Sequence, residues 1–455
     1  MARHSWIRPL ARRLTALALS GVMLFATALP QPAEAQGIRF IRDAEIETLL
    51  RDYATPILQA ANIRSQAVRI YVVPNRSFNA FVADGNRIFV NLGVLTQADV
   101  PNEVIGVLAH EAGHIAGGHL ARLRAQLANA QAAAIVAAIL AAGAGIAAQD
   151  PAVAQGLMLG GQQAIQRTLL SYQRSEERAA DRAAINYLNA TQQSARGMVR
   201  TFEKLADQAL LTVQNIDPYA QTHPLPRERV AALEQLARES PYYDRADPPE
   251  LQARHDLVRA KIIALTSHPS TVQRRYPSSD RTLPAVYARS LAQIRGGDYR
   301  GGLAGLDQLI NAAPNYAYFW EAKGDAIVSS GRPQDGIAPL ERAVALAPND
   351  PGLKVTLATA QVASGNAALL DPAIRNLLQV TARDPDHSQA FEQLALAYGR
   401  SNRRADAELA TAQAYFARGD LERAHHFAAR ARQGFAQGTP GWLKAQDILN
   451  VRPPN

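Results

Sequence analysis

Apolar positions follow different periods in successive stretches of the chain. Residues 1–35 place Arg3, Arg8, Arg12 and Arg13 ahead of an apolar run from Leu14 to Leu29, with small residues at Ala33-Glu34-Ala35. This is the three-part pattern of a secretory signal peptide, with cleavage expected after Ala35 and export to the periplasm. A helical entry is predicted from Asp43 to Ala61. Val68 to Val73 reads as a strand stopped by Pro74-Asn75. Asn79 to Phe81 and Arg87 to Asn91 read as further extended segments around an Asp84-Gly85-Asn86 turn. A small antiparallel sheet is the expected assembly, with Arg87–Asn91 as an edge strand able to pair with substrate backbone. From Asn102 the apolar spacing becomes three and four (Val104, Val107, Leu108), and helical signals continue to about Thr266. Strands first and helices after predict an α+β domain, mostly α, over residues 36–266.

Residues 267–284 contain His268-Pro269-Ser270, Pro277-Ser278-Ser279 and Pro284, and read as a linker. Beyond them a repeat begins. Gly297, Gly331 and Gly365 are spaced by 34, and so are Pro314 and Pro348. This is the period of helix–turn–helix units of tetratricopeptide type. The next equivalent proline, Pro385, comes 37 residues on, so the third unit carries a small insertion. Arg418 to Ala424 echoes the turn of a further unit. Roughly four units are expected in an α-solenoid over residues 285–437, followed by a C-terminal tail, 438–455.

Composition narrows the function. The formal charge of +8 falls to about +5 once the leader's four arginines and one glutamate are removed, too mild for a nucleic-acid partner. With no cysteine, disulfides, thiolate metal ligands and a cysteine-linked lipid anchor are excluded. Ala132 to Ala148 holds only apolar residues and Gly. Its Ala/Gly content makes it weakly hydrophobic for a span, so a buried hairpin or a flap over the active cleft is expected, with at most peripheral membrane contact.

His110-Glu111-Ala112-Gly113-His114 carries the chemistry. On a helix, positions four apart share a face, so His110 and His114 can grip one zinc ion. Glu111, one residue on, is placed as a general base rather than as a ligand. A catalytic zinc takes three protein ligands and keeps one open position. His119 comes one residue too early for the extended HExxHxxGxxH pattern and is rotated off the ligand face. Glu177 and Asp181, four apart on a helix, are the better place to look. One could bind the metal while the other holds a histidine ligand from behind. They could equally form a solvated face neutralised by Arg174, Arg178 and Arg182.

Four blocks together resemble the gluzincin peptidases of the HtpX and CAAX-prenyl-protease type, most closely their periplasmic BepA-like members with C-terminal tetratricopeptide repeats. The blocks are Asn79-Ala80-Phe81 with Ile88 to Asn91, Val107 to His114 with His119, Glu177 to Asp181, and Thr222-His223-Pro224 with Arg229. The resemblance spans roughly residues 40–235. It implies a zincin-like domain with one zinc on His110, His114 and Glu177, Glu111 as base and Asp181 behind a ligand. It also implies that His223 can approach the metal, as a latch or an oxyanion donor, though it could instead cap the next helix. Arg229 would support that loop or pair with Glu228. Two functions follow as expectations. One is an endopeptidase that removes misfolded or misassembled envelope proteins, with the repeats docking clients or the outer-membrane assembly machinery. The other is a chaperone or scaffold with a latent, His-latched metal site.

Overall fold

The computed structural model describes residues 40–83, 86–148, 151–211 and 223–452. The expected leader, Asp84-Gly85 of the turn, and Thr222 lie outside the described residues. Helix α1 (Ala44–Ala60) starts where the Asp43 carboxylate accepts from the Ile46 amide, with Glu45 and Glu47 in its first turn, where the helix dipole favours acid. It buries Leu49, Leu50, Tyr53 and Ile57.

Three strands follow, β1 (Arg69–Val73), β2 (Ala80–Ala83) and β3 (Arg87–Asn91). Their order is β1-β3-β2. β2 and β3 are antiparallel, but β1 runs parallel to β3, with Arg69 opposite Arg87 and Val73 opposite Asn91. The sheet is therefore mixed rather than antiparallel, and Arg87–Asn91 is its central strand rather than an edge. The chain skips one place after β1 and returns to fill it. Ile88 and Val90 are fully buried there, as a strand paired on both sides requires.

Helix α2 (Leu92–Gln97) leads into α3 (Pro101–Gly117), which is buried from Pro101 to Gly113. α3 stops at Gly118, whose φ of 64° turns the chain sharply into α4 (His119–Ala148). α4 packs along α5 (Pro151–Ala190) as a long helical arm. Expected as a buried hairpin or a flap, the apolar run 132–148 leaves large side chains exposed at Ile135, Val136 and Leu140. A Cβ on Gly161 would meet Ala137 across the pair, while Ile135 is 63% and Leu140 67% exposed. No helix among the described residues is long and apolar enough to cross a membrane. α3 crosses the base of α5 very closely. A Cβ on Gly113 would lie 2.9 Å from the Ala180 carbonyl oxygen, so the glycine lets the two motif-bearing helices touch. α6 (Arg196–Leu211), α7 (Arg227–Arg238) and α8 (Pro249–Thr266) complete a core that joins Leu50, Val90, Leu108, Phe202 and Val258.

Residues 267–284, expected as a linker, contain a short helix, α9 (Pro269–Arg275). Four helix pairs then stack: α10 (Leu283–Arg295) with α11 (Tyr299–Ala312), α12 (Ala317–Ser329) with α13 (Pro333–Leu346), α14 (Pro351–Ala363) with α15 (Leu370–Arg383), and α16 (Ser388–Arg400) with α17 (Arg404–Ala417). This is a tetratricopeptide-type solenoid. Gly297, Gly331 and Gly365 sit in its turns at φ of 89°, 88° and 73°, a backbone region that favours glycine. The insertion in the third unit is a 3₁₀ turn, Ala367–Leu369, capped by Asn366. Helix α18 (Leu421–Gly434) and α19 (Pro440–Asn450) follow. α19 lies in the expected tail but buries Ala445 and Ile448 in the last core.

The solenoid folds back on the first domain through equivalent turn positions. Tyr316, Asp350 and Asp384, spaced by 34, all meet the start of the described chain. Tyr316 donates to Glu45 (2.6 Å), Asp350 accepts from Thr48 (2.9 Å), and Asp384 accepts from Arg42 (2.9 Å).

Candidate metal centre

The sequence spacing on α3 stacks His110 and His114 one turn apart, with their Nε2 atoms 3.0 Å from each other. α5 brings Glu177 to both: its Oε2 is 3.3 Å from His110 Nε2 and its Oε1 is 3.4 Å from His114 Nε2. The segment before α7 adds His223, whose Nδ1 lies 3.3 Å from His110 Nε2 and 3.2 Å from each Glu177 oxygen. One ligand atom from each of the four residues falls within 4.8 Å of all the others. His110, Glu177 and His223 are buried. This group could hold a metal ion. Donors 2.0–2.1 Å from a tetrahedral ion lie about 3.3 Å apart, which fits five of the six donor pairs, spaced 3.0–3.4 Å.

Behind the donors, Asp181 Oδ1 sits 3.0 Å from His110 Nδ1. Arg229 Nε and NH2 donate to the two Asp181 oxygens at 2.7 and 2.8 Å, a bidentate pair. Arg229 NH1 also reaches Glu177 Oε2 at 2.9 Å and donates to the Pro224 carbonyl at 2.9 Å, fixing the segment that carries His223. Glu228 is not its partner in this arrangement. α7 is preceded by Pro226 with no side-chain cap, so His223 does not cap that helix. Glu111 is fully buried, and neither carboxylate oxygen has a hydrogen-bond partner among the described residues. His223 Nε2 lies 3.6 Å from Glu111 Oε1.

The electrostatics follow from this crowding. Burial pushes the Glu111 carboxyl up, because the ion loses its hydration without gaining hydrogen bonds. Burial alone would also raise Glu177, but His223 and His110 outweigh it and hold the carboxyl well below the usual range. Burial would lower His110, yet its bonds to Asp181 and Glu177 push it up to about 9. His114 is driven down by burial and by the neighbouring His110.

His119 lies outside the donor group. Its Nδ1 is 2.8 Å from His114 Nδ1 and its Nε2 is 2.8 Å from Glu176 Oε2. Arg122 NH2 donates to the same Glu176 oxygen at 2.6 Å. Glu176 and Arg122 carried no signal in the sequence that set them apart from other surface charges. Phe202 was also missed. Its ring packs edge-on against His110 at 5.6 Å and lies under the Arg229 guanidinium at 5.5 Å.

The chain is similar to known proteins. Over 398 residues the chain is 25% identical to the beta-barrel assembly-enhancing protease of Escherichia coli O157:H7, covering 84% of this chain and 78% of that one. It is 28% identical over 300 residues to a putative beta-barrel assembly-enhancing protease of Vibrio cholerae serotype O1, covering 63% and 59%. Among solved structures, YrrB, a TPR protein with an unusual peptide-binding site, shares 19% identity at a TM-score of 0.31, covering 38% of this chain and 90% of that one. Residues 41–237, which contain all four donor residues, match Peptidase family M48, and the chain thus carries a peptidase domain of that family.

Proposed function

We propose that this chain is a zinc-dependent endopeptidase of the bacterial periplasm. His110, His114 and Glu177 would hold one zinc ion per chain, with Glu111 as the general base. The observation that carries this reading is four donor residues, three of them buried, converging beside a carboxylate with no hydrogen-bond partner among the described residues. When bound, zinc polarises a peptide carbonyl and makes a water more acidic. The chain's own residues supply the rest. Glu111, with its raised proton affinity, takes a proton during attack and returns it to the leaving amine. Asp181, held by Arg229, fixes the orientation of His110. His223 stands where a fourth ligand would, so we read it as a latch that must withdraw, becoming an oxyanion donor in the open state.

The sheet supports a choice of substrate. β2 is paired with β3 on one side and, among the described residues, with no strand on the other; it also packs near α3. Substrate backbone can add there, a mode tolerant of sequence. This suits misfolded or misassembled envelope and outer-membrane proteins, in keeping with relatives named for β-barrel assembly. The exposed aliphatics of the α4–α5 arm offer such clients an apolar contact. The repeats, taken as residues 285–437, would dock clients or assembly machinery, and export rests on the leader 1–35. A second reading, a scaffold with a latent site, is favoured by one observation: His223 touches His110 and Glu177 directly.

Zinc content and casein hydrolysis of the purified chain separate the two. Wild type should carry about one zinc. Glu111→Gln should keep it while losing about 10²–10⁴-fold in cleavage, and Glu177→Ala should lose the metal. His223→Ala should cleave faster than wild type. If Glu111→Gln cleaves as well as wild type, the peptidase reading fails and the scaffold remains.

A further inference from the structure

We propose that His119 is a positioning residue that sets the tautomer and orientation of His114, through a relay that ends on Glu176 and Arg122. This rests on the reading that the four-donor group binds a metal.

The bonding leaves one consistent proton arrangement. His114 turns its Nε2 toward His110 and Glu177, so a metal there would need the Nε2 lone pair, and the proton must sit on Nδ1. His114 Nδ1 faces His119 Nδ1 at 2.8 Å, so His119 must accept on that nitrogen and carry its own proton on Nε2. That Nε2 faces Glu176 Oε2 at 2.8 Å, an acceptor. Arg122 donates to the same oxygen at 2.6 Å, which holds the carboxylate in place. Both His119 nitrogens are thus engaged, and neither is left to ligate. His119 is 6% exposed, so water competes poorly for these contacts.

The backbone is shaped for this contact. Gly118 at φ 64° reverses the chain, so the first residue of α4 points back at the last turn of α3. The imidazole lies directly over Gly117, where a Cβ would fall 2.2 Å from His119 Nε2. The same logic operates independently on the other imidazole. His110 is backed by Asp181, which is held by Arg229. Each histidine donor is therefore backed by a carboxylate held by an arginine, directly for His110 and through one further imidazole for His114. Adjacent residues of α5 divide the labour: Glu177 meets the donors while Glu176 supports one of them from outside. Losing an orienting partner of this kind commonly weakens metal binding by about 10–100-fold.

The test is zinc affinity by chelator competition on the full purified chain, together with the visible spectrum of the cobalt-substituted protein. His119→Leu should bind zinc about 10–100-fold more weakly and shift the cobalt bands. His119→Gln can accept from His114 through its carbonyl and donate to Glu176 through its amide, and should restore both readouts. Glu176→Gln keeps the volume and should weaken zinc binding by a smaller factor in the same direction; it serves as the second variant if His119→Leu does not fold. Wild-type affinity and spectrum in His119→Leu, or no rescue by His119→Gln in a folded protein, would overturn the relay. Absence of zinc binding in wild type would instead overturn the metal reading itself.

Discussion

Two clusters of buried charge sit in this molecule, and they are built on opposite plans. Around Lys261, the ammonium contacts Asp43 at 2.8 Å, Glu45 at 3.2 Å and Glu321 at 3.5 Å. Glu45 also accepts from Tyr287 at 3.0 Å and Tyr316 at 2.6 Å. This cluster supplies its own cation, and it ties α1 and α8 of the first domain to α10 and α12 of the solenoid. At the metal centre, three imidazoles and a carboxylate converge, and the fully buried Glu111 has no hydrogen-bond partner among the described residues. The first cluster is closed in charge and joins two domains, although Lys261 Nζ, like Glu111, has no hydrogen-bond partner among the described residues. The second is left open to a metal and a substrate. Buried polar groups without partners cost stability, so the open cluster is where stability is given up for chemistry.

The largest test of this contrast is Glu111→Gln. It should lower cleavage about 10²–10⁴-fold and yet leave the denaturation midpoint unchanged or higher, since a neutral amide is easier to bury than an unpartnered carboxylate. A variant clearly less stable than wild type would mean that Glu111 has a structural partner in solution. Lys261→Met comes next. It leaves the carboxylates buried without their cation, and breaking such a cluster costs about 3–5 kcal/mol. Denaturant unfolding should show that loss, while zinc content stays at the wild-type level. Loss of zinc in Lys261→Met would show that the two clusters are coupled and would break the comparison.

How much was legible beforehand follows the same division. His110, Glu111 and His114 are local in sequence and could be read from helical spacing alone, as could the helical pairing of Glu177 with Asp181 and the 34-residue period of the solenoid. Contacts made at long range could not be read. Arg229 lies 48 residues from Asp181, and only the fold joins them. The offset of His119 misses the ligand template, and its contact with His114 depends on the left-handed turn at Gly118. Strand composition marked β1 and β3, but a parallel pair around an outside hairpin leaves no local trace, so the central strand was expected at an edge. For the apolar run 132–148, composition offers a buried hairpin or a flap and does not reveal that Ile135, Val136 and Leu140 are exposed. Nothing in the repeat itself signalled that Tyr316, Asp350 and Asp384 would face α1 and Arg42.

The smallest predicted effect tests whether the closed cluster is balanced. Three carboxylates surround one ammonium, and Glu321 is the farthest. Burial pushes its carboxyl up to about 8, and Lys261 only partly offsets this. In the unfolded chain a glutamate titrates near its ordinary value of 4.5. Between these values the folded protein keeps a proton that the unfolded chain has released, so the contribution of Glu321 is fully present below about 4.5 and is lost as pH rises through about 8. Glu321→Gln removes that titration. Its denaturation midpoint, compared with wild type at pH 5 and pH 8, should therefore improve relative to wild type at the higher pH. Glu47, which burial pushes up to about 7, titrates in both proteins and cancels in the difference. Two parallel pH curves would show that Glu321 is ionised throughout, and that Lys261 neutralises the cluster more completely than three acids around one base imply.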